Sequence, residues 1–330
     1  MKKALIQALK LIVAVGLIFW LVKTKKITAE PFLVLWATPW LTFFTFGTIM
    51  LLILINNYRW LLLLQGQSIR SSVKQTLPLT FIGLFFNLAM PGAVGGDFLK
   101  AYYITQEQPA AKVGAATSVL MDRIVGLYAM GLIALYAVVT HWEKILGSAQ
   151  LRPLAVFVGA LVLGFTLFFI LGFSATVRRH QLTDAFLEKI PGGRIVEKIY
   201  DAIHAFRHGK KQFFIGIFLS IIVQTVTIFS FYVIAVNLHY ENVTMGALLF
   251  VVPLGLIATA VPLSPGGVGV GQAVFFALFG WYGGGISQNL GPTIMTIYQV
   301  VQAIWGLIGV PLYFLRKAPP LQTAALKNDG

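Results

Sequence analysis

The chain contains no cysteine, which excludes disulfide bonds, thiol nucleophiles and cysteine-ligated metal sites. Charged residues are also scarce, at 11% of 330 residues against about a quarter in an ordinary soluble domain. Only 11 residues are acidic, against 25 Lys and Arg, while 58% of the chain is hydrophobic. This composition excludes a soluble domain and predicts an all-α polytopic membrane protein.

Apolar runs of sufficient length predict six membrane-spanning helices. They cover residues 4–22, 31–55, 111–140, 153–173, 212–238 and 291–315. Between the fourth and fifth lies the polar segment 174–211, whose helically spaced apolar residues predict amphipathic helices on the cytoplasmic lipid surface. No catalytic set or metal-ligand pattern stands out, so we expect neither an enzyme nor a cofactor.

Two further apolar stretches, 77–105 and 243–282, are interrupted by proline and glycine near their centres. Their arms are shorter than the about 20 helical residues that a crossing requires. The breaks Pro91-Gly92-Ala93-Val94-Gly95 and Pro265-Gly266-Gly267-Val268-Gly269 match at four of five positions. The pattern predicts two broken re-entrant helical hairpins, the alternative being ordinary loops rich in turn residues.

The basic residues predict the orientation of the chain in the membrane. With both termini cytoplasmic, 19 of the 25 Lys and Arg fall inside and five outside, as the positive-inside rule requires. This placement accounts for the net charge of +14 without nucleic acid and favours the cell inner membrane. Residues 1–145 and 146–330 then form two repeat units of inverted topology, each with one hairpin.

Asp97, Asp122 and Arg123 are the main charges expected at membrane depth, where an ionised group requires a partner. Asp122 and Arg123 are neighbours on one helix and do not face each other, so we expect Arg123 to meet Asp97. Asp122 then needs another donor. Two interpretations of Arg123 stay open, a structural ion pair and a ligand for a lipid phosphate.

Other polar groups near the breaks have two interpretations each. Backbone amides at 95–98 and 268–272 could bind an anion, or the glycines there could only allow tight helix packing. Lys100, Tyr102 and Tyr103 are predicted interfacial anchors, as is the sequence Tyr58-Arg59-Trp60 after the second helix. Glutamines within the fifth and sixth helices could form interhelical hydrogen bonds or a polar path; they are Gln224, Gln299 and Gln302.

These residues together resemble the lysylphosphatidylglycerol synthase transmembrane-region family. The motifs are Tyr58-Arg59-Trp60, Asn87 with Pro91-Gly92-x-x-Gly95-Gly96-Asp97, Asp122-Arg123-x-x-Gly126-Leu127, and Pro262-x-Ser264-Pro265-Gly266-Gly267-x-Gly269. The resemblance implies a flippase-like protein that moves a phospholipid or glycolipid head group between leaflets. Bifunctional members also carry a soluble aminoacyl-transferase domain. This chain stops soon after its last predicted helix, so we expect that domain to be absent.

The motifs and the intramembrane charges together give the predicted substrate-binding set. It comprises Arg59, Asn87, Pro91, Gly95, Gly96, Asp97, Lys100, Asp122, Arg123, Pro265, Gly266, Gly267, Gly269, Gln272 and Gln299. Members of the family commonly have Glu after the second glycine motif and Arg in the last helix. The corresponding residues here are Gln272 and Gln299, so the second unit lacks the charges of the first.

Lipid translocation is therefore the predicted function, with membrane lipids as the expected partners. One alternative is a scaffold that transports nothing and binds a lipid-synthesis, lipid-modifying or glycosyltransferase enzyme. Another is an ion-coupled carrier of small solutes. The apolar hairpins and the basic amphipathic segment favour a lipid over a solute.

Overall fold

The computed structural model describes residues 37–89, 95–173, 204, 206, 209–240, 242–261, 266–283, 286 and 288–316. Within these residues the regular secondary structure is entirely helical. The predicted helix 4–22, the break residues Pro91 and Pro265, and nearly all of the predicted amphipathic segment 174–211 lie outside this part of the chain.

Eleven α-helices are described in these residues. They are α1 (Pro39–Gly66), α2 (Val73–Ala89), α3 (Gly95–Glu107), α4 (Lys112–Thr140), α5 (Trp142–Gly147), α6 (Leu151–Phe173), α7 (Lys210–Asn237), α8 (Met245–Thr259), α9 (Val270–Tyr282), α10 (Leu290–Gly306) and α11 (Gly309–Leu315). Five stretches are long and apolar enough to cross a membrane: α1, Pro109–Thr140, α6, α7 and Leu290–Leu315. They agree with five of the six predicted spans and confirm the polytopic all-α class.

The sequence predicts a span that ends at residue 55, with the helix continued over residues 61–64, and helix α1 runs without a break to Gly66. The predicted interfacial end at residues 56–60 was wrong because Asn57 and Arg59 are bonded within the protein. Asn57 Oδ1 accepts a 2.9 Å hydrogen bond from Thr80 Oγ1, and Arg59 pairs with Asp122. Satisfied polar groups of this kind do not end a helix.

The short helices pack in two pairs, α2 with α3 and α8 with α9. Helix α2 has 17 residues and α8 has 15, while α3 and α9 have 13 each. At 1.5 Å per residue they are about 20–25 Å long, less than the about 30 Å of a hydrocarbon core. In the first pair, a Cβ on Gly96 would overlap the carbonyl of Gly83. Glycine at residue 96 is therefore required for this close approach.

The two pairs open at opposite ends of α4. At the beginning of α4, Gln108 Nε2 donates a 3.3 Å hydrogen bond to the Arg70 carbonyl, joining the segments before α2 and after α3. Just beyond the end of α4, Gly246 at the beginning of α8 packs against the ring of His141. Lys144 Nζ lies 4.1 Å from the ring centroid of Tyr282, the last residue of α9.

Each long helix that follows one helix pair packs against the first helix of the other pair. Helix α4 packs on α8, while α10 and α11 pack on α2, and α1 packs on α7. The backbone break between α10 and α11 coincides with this contact, since Gly306 lies against Leu84 and a Cβ on Gly309 would overlap the carbonyl of Phe81. This crossed packing joins each pair to the long helix that follows the other pair.

Helix α6 presents an apolar stripe outward. Val156, Leu163 and Ile170, spaced seven residues apart, are all at least 60% exposed. An apolar surface of this kind on a helix long enough to span is typical of contact with lipid tails.

Candidate functional site

A cavity of about 460 Å³ lies at the centre of the bundle, between α1, α2, α3, α4, α7, α8 and α10. Its volume lies within the range of about 300–1,000 Å³ that is typical of ligand pockets. The polar residues in its wall are Asn56, Arg59, Thr80, Asn87, Asp97, Lys100, Asp122, Arg123, Gln224, Thr227, Thr259, Tyr298, Gln299 and Gln302. Apolar residues and two glycines, Gly126 and Gly266, complete the wall.

Arg123 and Asp97 form the predicted ion pair across this cavity wall. Arg123 Nε donates a hydrogen bond to Asp97 Oδ2, which joins the middle of α4 to the first turn of α3. Carboxylates are favoured at a helix N-terminus because the backbone dipole is positive there. The Arg123 side chain is 36% exposed, whereas that of Asp97 is 12% exposed. Arg123 is also one of the residues that line the cavity.

The hydrogen-bond donor to Asp122, which the sequence did not identify, is Arg59. Arg59 Nε donates a 2.7 Å hydrogen bond to Asp122 Oδ1, and Arg59 Nη1 donates one of 2.9 Å to Ser220 Oγ. These bonds join α1, α4 and α7. The predicted position of Arg59 at the membrane interface was wrong, because its side chain is only 8% exposed and is bonded inside the bundle. Its neighbour Tyr58 does lie at the surface.

The side chain of Lys100 faces the cavity and is not an interfacial anchor as predicted. It is 14% exposed, and its Nζ lies 3.9 Å from Asp97 Oδ1 and 5.2 Å from the ring centroid of Trp60. Lys100 is one helical turn after Asp97 on α3, so both side chains reach the same space. Tyr103 is also buried, and only Tyr102 of the three predicted anchors is exposed.

The first helix pair is closed at its break by Asn87. The Gly96 amide donates a 2.7 Å hydrogen bond to Asn87 Oδ1, so the side chain at the end of α2 caps the beginning of α3. The Gly96 amide is one of the backbone amides at 95–98 that were predicted as a possible anion site, and this bond leaves it unavailable to an anion. The Asn87 side chain itself lines the cavity.

In the second pair, the polar break residues are bonded to one another. Gly269, in the left-handed region with φ of 86°, donates a 2.7 Å hydrogen bond from its amide to Gln272 Oε1. Gln272 Nε2 donates to Gln299 Oε1 at 2.8 Å, and Gln299 Nε2 donates to the Gly266 carbonyl at 3.2 Å. Gly267 also has a positive φ, of 68°. The chain turn after the break is thus held to α10.

Gly266, just after the second break, lies against the end of α2 beside the cavity. A Cβ on Gly266 would lie 3.4 Å from the Asn87 carbonyl. The structure brings eight members of the predicted set into the cavity wall: Arg59, Asn87, Asp97, Lys100, Asp122, Arg123, Gly266 and Gln299. Gly95, Gly96, Gly267, Gly269 and Gln272 shape or bond the breaks outside that wall, and Pro91 and Pro265 lie outside the described residues.

Several wall residues were absent from the predicted set, notably Thr80, Gln224, Tyr298 and Gln302. The available signal was a polar residue inside a long apolar run, which is costly in a membrane and indicates an inward face. Within the described residues, no three His, Asp or Glu side chains come close enough together to hold a metal ion.

Comparison with known proteins places the chain in a family. Residues 7–309 match the family described as Lysylphosphatidylglycerol synthase TM region. The chain is also similar to a UPF0104 membrane protein of Methanothermobacter thermautotrophicus, with 23% identity over 288 residues and 80% of each chain covered. No solved structure matches. With its spanning helices and a match over most of its length, the chain is a multi-pass membrane protein that belongs to the Lysylphosphatidylglycerol synthase TM region family.

Proposed function

We propose that the protein moves a phospholipid or glycolipid head group between leaflets through the central cavity, without modifying it chemically. The observation that carries this proposal is a single cavity, lined by Arg59, Lys100 and Arg123, at which Gly266 of the second helix pair lies against the end of α2 of the first. The family takes its name from the membrane region of a lipid synthase, which also supports a lipid as the transported molecule.

A lipid cargo requires the cavity to open sideways toward the membrane, and we expect this opening beside Leu120 on α4. Leu120 lines the cavity, is 45% exposed and lies three residues before Arg123. A lipid can therefore place its phosphate among the cavity side chains while its acyl chains stay outside the protein. Moving a bare phosphate through hydrocarbon is prohibitive, so the guanidinium groups replace water as donors.

We also propose that α1–α4 and α7–α11 are repeats of opposite membrane orientation, with α2–α3 and α8–α9 as re-entrant hairpins. The lengths correspond, since α1 and α7 have 28 residues each and α3 and α9 have 13 each. Two observations support a two-fold symmetry axis between the proposed repeats. The two pairs open at opposite ends of α4, and the long helix after each pair packs on the other pair. Such repeats supply two equivalent arrangements, one open to each leaflet.

The test follows transport in liposomes that contain the purified protein and a fluorescent lipid. Wild-type protein should expose lipid of the inner leaflet to a membrane-impermeant quencher faster than empty vesicles do. The Arg123→Lys variant should transport more slowly, because an ammonium group cannot make the planar two-pronged contact with phosphate. Arg152→Lys, at an exposed arginine outside the cavity, is the matched control and should behave as wild type.

One outcome would reject the proposal. If wild-type vesicles are no faster than empty ones, across several anionic lipids and with an imposed ion gradient, the protein does not translocate lipid. The scaffold interpretation would then take its place.

A further inference from the structure

The charged groups of the cavity do not balance. Among the described residues that line it, three cations face two carboxylates. Arg59 is bonded to Asp122 and Arg123 to Asp97, so each carboxylate already has a guanidinium partner. Lys100 is the additional cation, and it gives the cavity wall a net charge of one positive unit.

Lys100 has no hydrogen-bond acceptor within reach among the described residues. Its nearest carboxylate oxygen, on Asp97, lies 3.9 Å away, and the Trp60 ring offers only a cation–π contact. The absence of Cβ at Gly83 makes room for the lysine stem, since a Cβ there would lie 3.0 Å from Lys100 Cε. The only anion near this ammonium in the described part of the chain, Asp97, is shared with Arg123, so a largely buried ammonium group is left with one carboxylate for two cations, and its open side is the cavity.

Gln224 on α7 contributes a second unsatisfied group to the same wall. The residue is 4% exposed, and its Oε1 has no hydrogen-bond partner among the described residues. A buried amide oxygen without a donor is costly. This oxygen has almost no accessible surface, so the Gln224 side chain must turn toward the cavity before a ligand hydroxyl can donate to it.

We infer that the cavity selects a lipid with a single phosphodiester charge and an uncharged, hydroxyl-bearing head group, with Lys100 at the phosphate and Gln224 at a hydroxyl. This inference rests on the proposed function and names its substrate class. A zwitterionic head group brings its own cation, and an aminoacylated one brings a net positive charge. Both leave the excess charge of Lys100 uncompensated, and both are disfavoured in this cavity.

The test measures which lipids stay bound to the purified full-length protein, using native mass spectrometry after incubation with lipids of identical acyl chains. Wild-type protein should retain phosphatidylglycerol about tenfold better than phosphatidylethanolamine or lysyl-phosphatidylglycerol, the ratio expected for one charge-assisted hydrogen bond. Lys100→Gln should remove this preference, Lys100→Arg should keep it, and Lys74→Gln, which removes the same charge from an exposed site, should leave it unchanged.

Gln224 is tested with two lipids of equal charge. Phosphatidylmethanol has the phosphodiester of phosphatidylglycerol but lacks the hydroxyls, so wild-type protein should retain it less well. Gln224→Met should retain both lipids equally. A preference for phosphatidylglycerol that survives in a folded Gln224→Met protein would overturn the assignment of this residue.

Three outcomes would overturn the inference itself. The first is equal retention of phosphatidylglycerol and phosphatidylethanolamine by wild type, and the second is an unchanged preference in a folded Lys100→Gln protein. The third is displacement of bound lipid by soluble glycerophosphoglycerol at the same concentration, which would assign the cavity to a soluble anion. If the protein retains lipid but does not transport it in liposomes, the proposed function is contradicted. If it transports lipids at equal rates whatever the charge of the head group, only the selectivity is contradicted.

Discussion

Gln272 and Gln299 are hydrogen-bonded side chain to side chain at 2.8 Å, between the first turn of α9 and the middle of α10. Asp97 and Arg123 make a contact of the same kind, between the first turn of α3 and the middle of α4. In the proposed repeat, the uncharged amide pair corresponds to the ion pair. Each contact joins the second helix of a pair to the long helix that follows, but only the first is charged.

We expect that Gln272 and Gln299 can be replaced by an ion pair only when both residues are changed together. Gln272→Glu or Gln299→Arg alone leaves one buried charge without a partner, so each single variant should give less folded protein. The double variant places opposite charges together and should recover most of that loss. The measurement is the yield of monodisperse protein from gel filtration. Losses in the double variant equal to the sum of the single losses would contradict the correspondence.

The two arginines should differ in their contribution to stability. Arg59 is almost fully buried and bonded to both Asp122 and Ser220, whereas Arg123 is partly exposed toward the cavity. Arg59→Gln should therefore lower the free energy of unfolding by about 3–5 kcal/mol, the usual effect of breaking a buried pair. Arg123→Gln should cost less stability but impair transport more.

Thermal unfolding in detergent and the liposome assay measure these two effects separately. The matched control is Asp122→Asn combined with Arg59→Gln, which removes both members of the buried pair. It should be more stable than the single losses predict when added together. A larger stability loss for Arg123→Gln than for Arg59→Gln would show that the roles are reversed.

Hydropathy alone placed the long helices, because a spanning segment must be apolar along its whole length. The cost of an unpaired charge in a membrane likewise identified Asp97 as the partner of Arg123. The partner of Asp122 was different. Arg59 lies in the sequence Asn56-Asn57-Tyr58-Arg59-Trp60, which is typical of a helix end at the membrane interface. Only the packing of α1 against α4 and α7 places its side chain inside the protein.

The cavity wall was also only partly predictable from residue types. Lys100 lies in a short helix near two tyrosines, which is typical of a residue at the lipid interface. Its inward direction follows from the close approach of α2 and α3 at Gly83 and Gly96, which the glycines allow but the sequence pattern does not require. The same applies to Gln224, because its Oε1 lacks a partner only if the neighbouring helices place no hydrogen-bond donor beside it.

Gly96 should tolerate no side chain. A Cβ at this position would overlap the Gly83 carbonyl, which is backbone and cannot move aside easily. Gly96→Ala should therefore separate α2 from α3 and lower the unfolding temperature. Gly47→Ala is the matched control, because nothing lies within 4 Å of its Cβ position in α1, and alanine favours a helix over glycine. Equal unfolding temperatures for the two variants would show that α2 and α3 can separate without cost.

The orientation of the chain can be tested with single cysteines, because the native chain has none. Ala110 and Glu143 are exposed residues at opposite ends of α4. With both termini cytoplasmic, Glu143→Cys should react in intact cells with a membrane-impermeant thiol reagent, and Ala110→Cys should react only after lysis. The reverse pattern would contradict the predicted orientation, and reaction of both in intact cells would contradict a single crossing by α4.

The far ends of α3 and α9 are each attached by a basic side chain that stacks on a tyrosine. Arg316, just after α11, has its Cζ 5.3 Å from the Tyr103 ring centroid and pairs with Glu107 at the end of α3. Lys144, in α5 just after α4, lies over Tyr282 at the end of α9. Each helix pair is thus attached at its open end to the segment following a long helix.

These attachments should act independently, since they lie at the open ends of different pairs. Removing the carboxylate with Glu107→Gln should increase hydrogen–deuterium exchange of the last turns of α3 and leave α9 protected. Lys144→Gln should do the reverse, because the cation–π contact holds only α9. Exchange measured by mass spectrometry on the purified protein resolves both segments, and Glu143→Gln, next to Lys144, serves as the control for a charge change at that end. If either variant loosened both α3 and α9, the two ends would be coupled, and the proposed alternate opening of the two repeats would require a different mechanism.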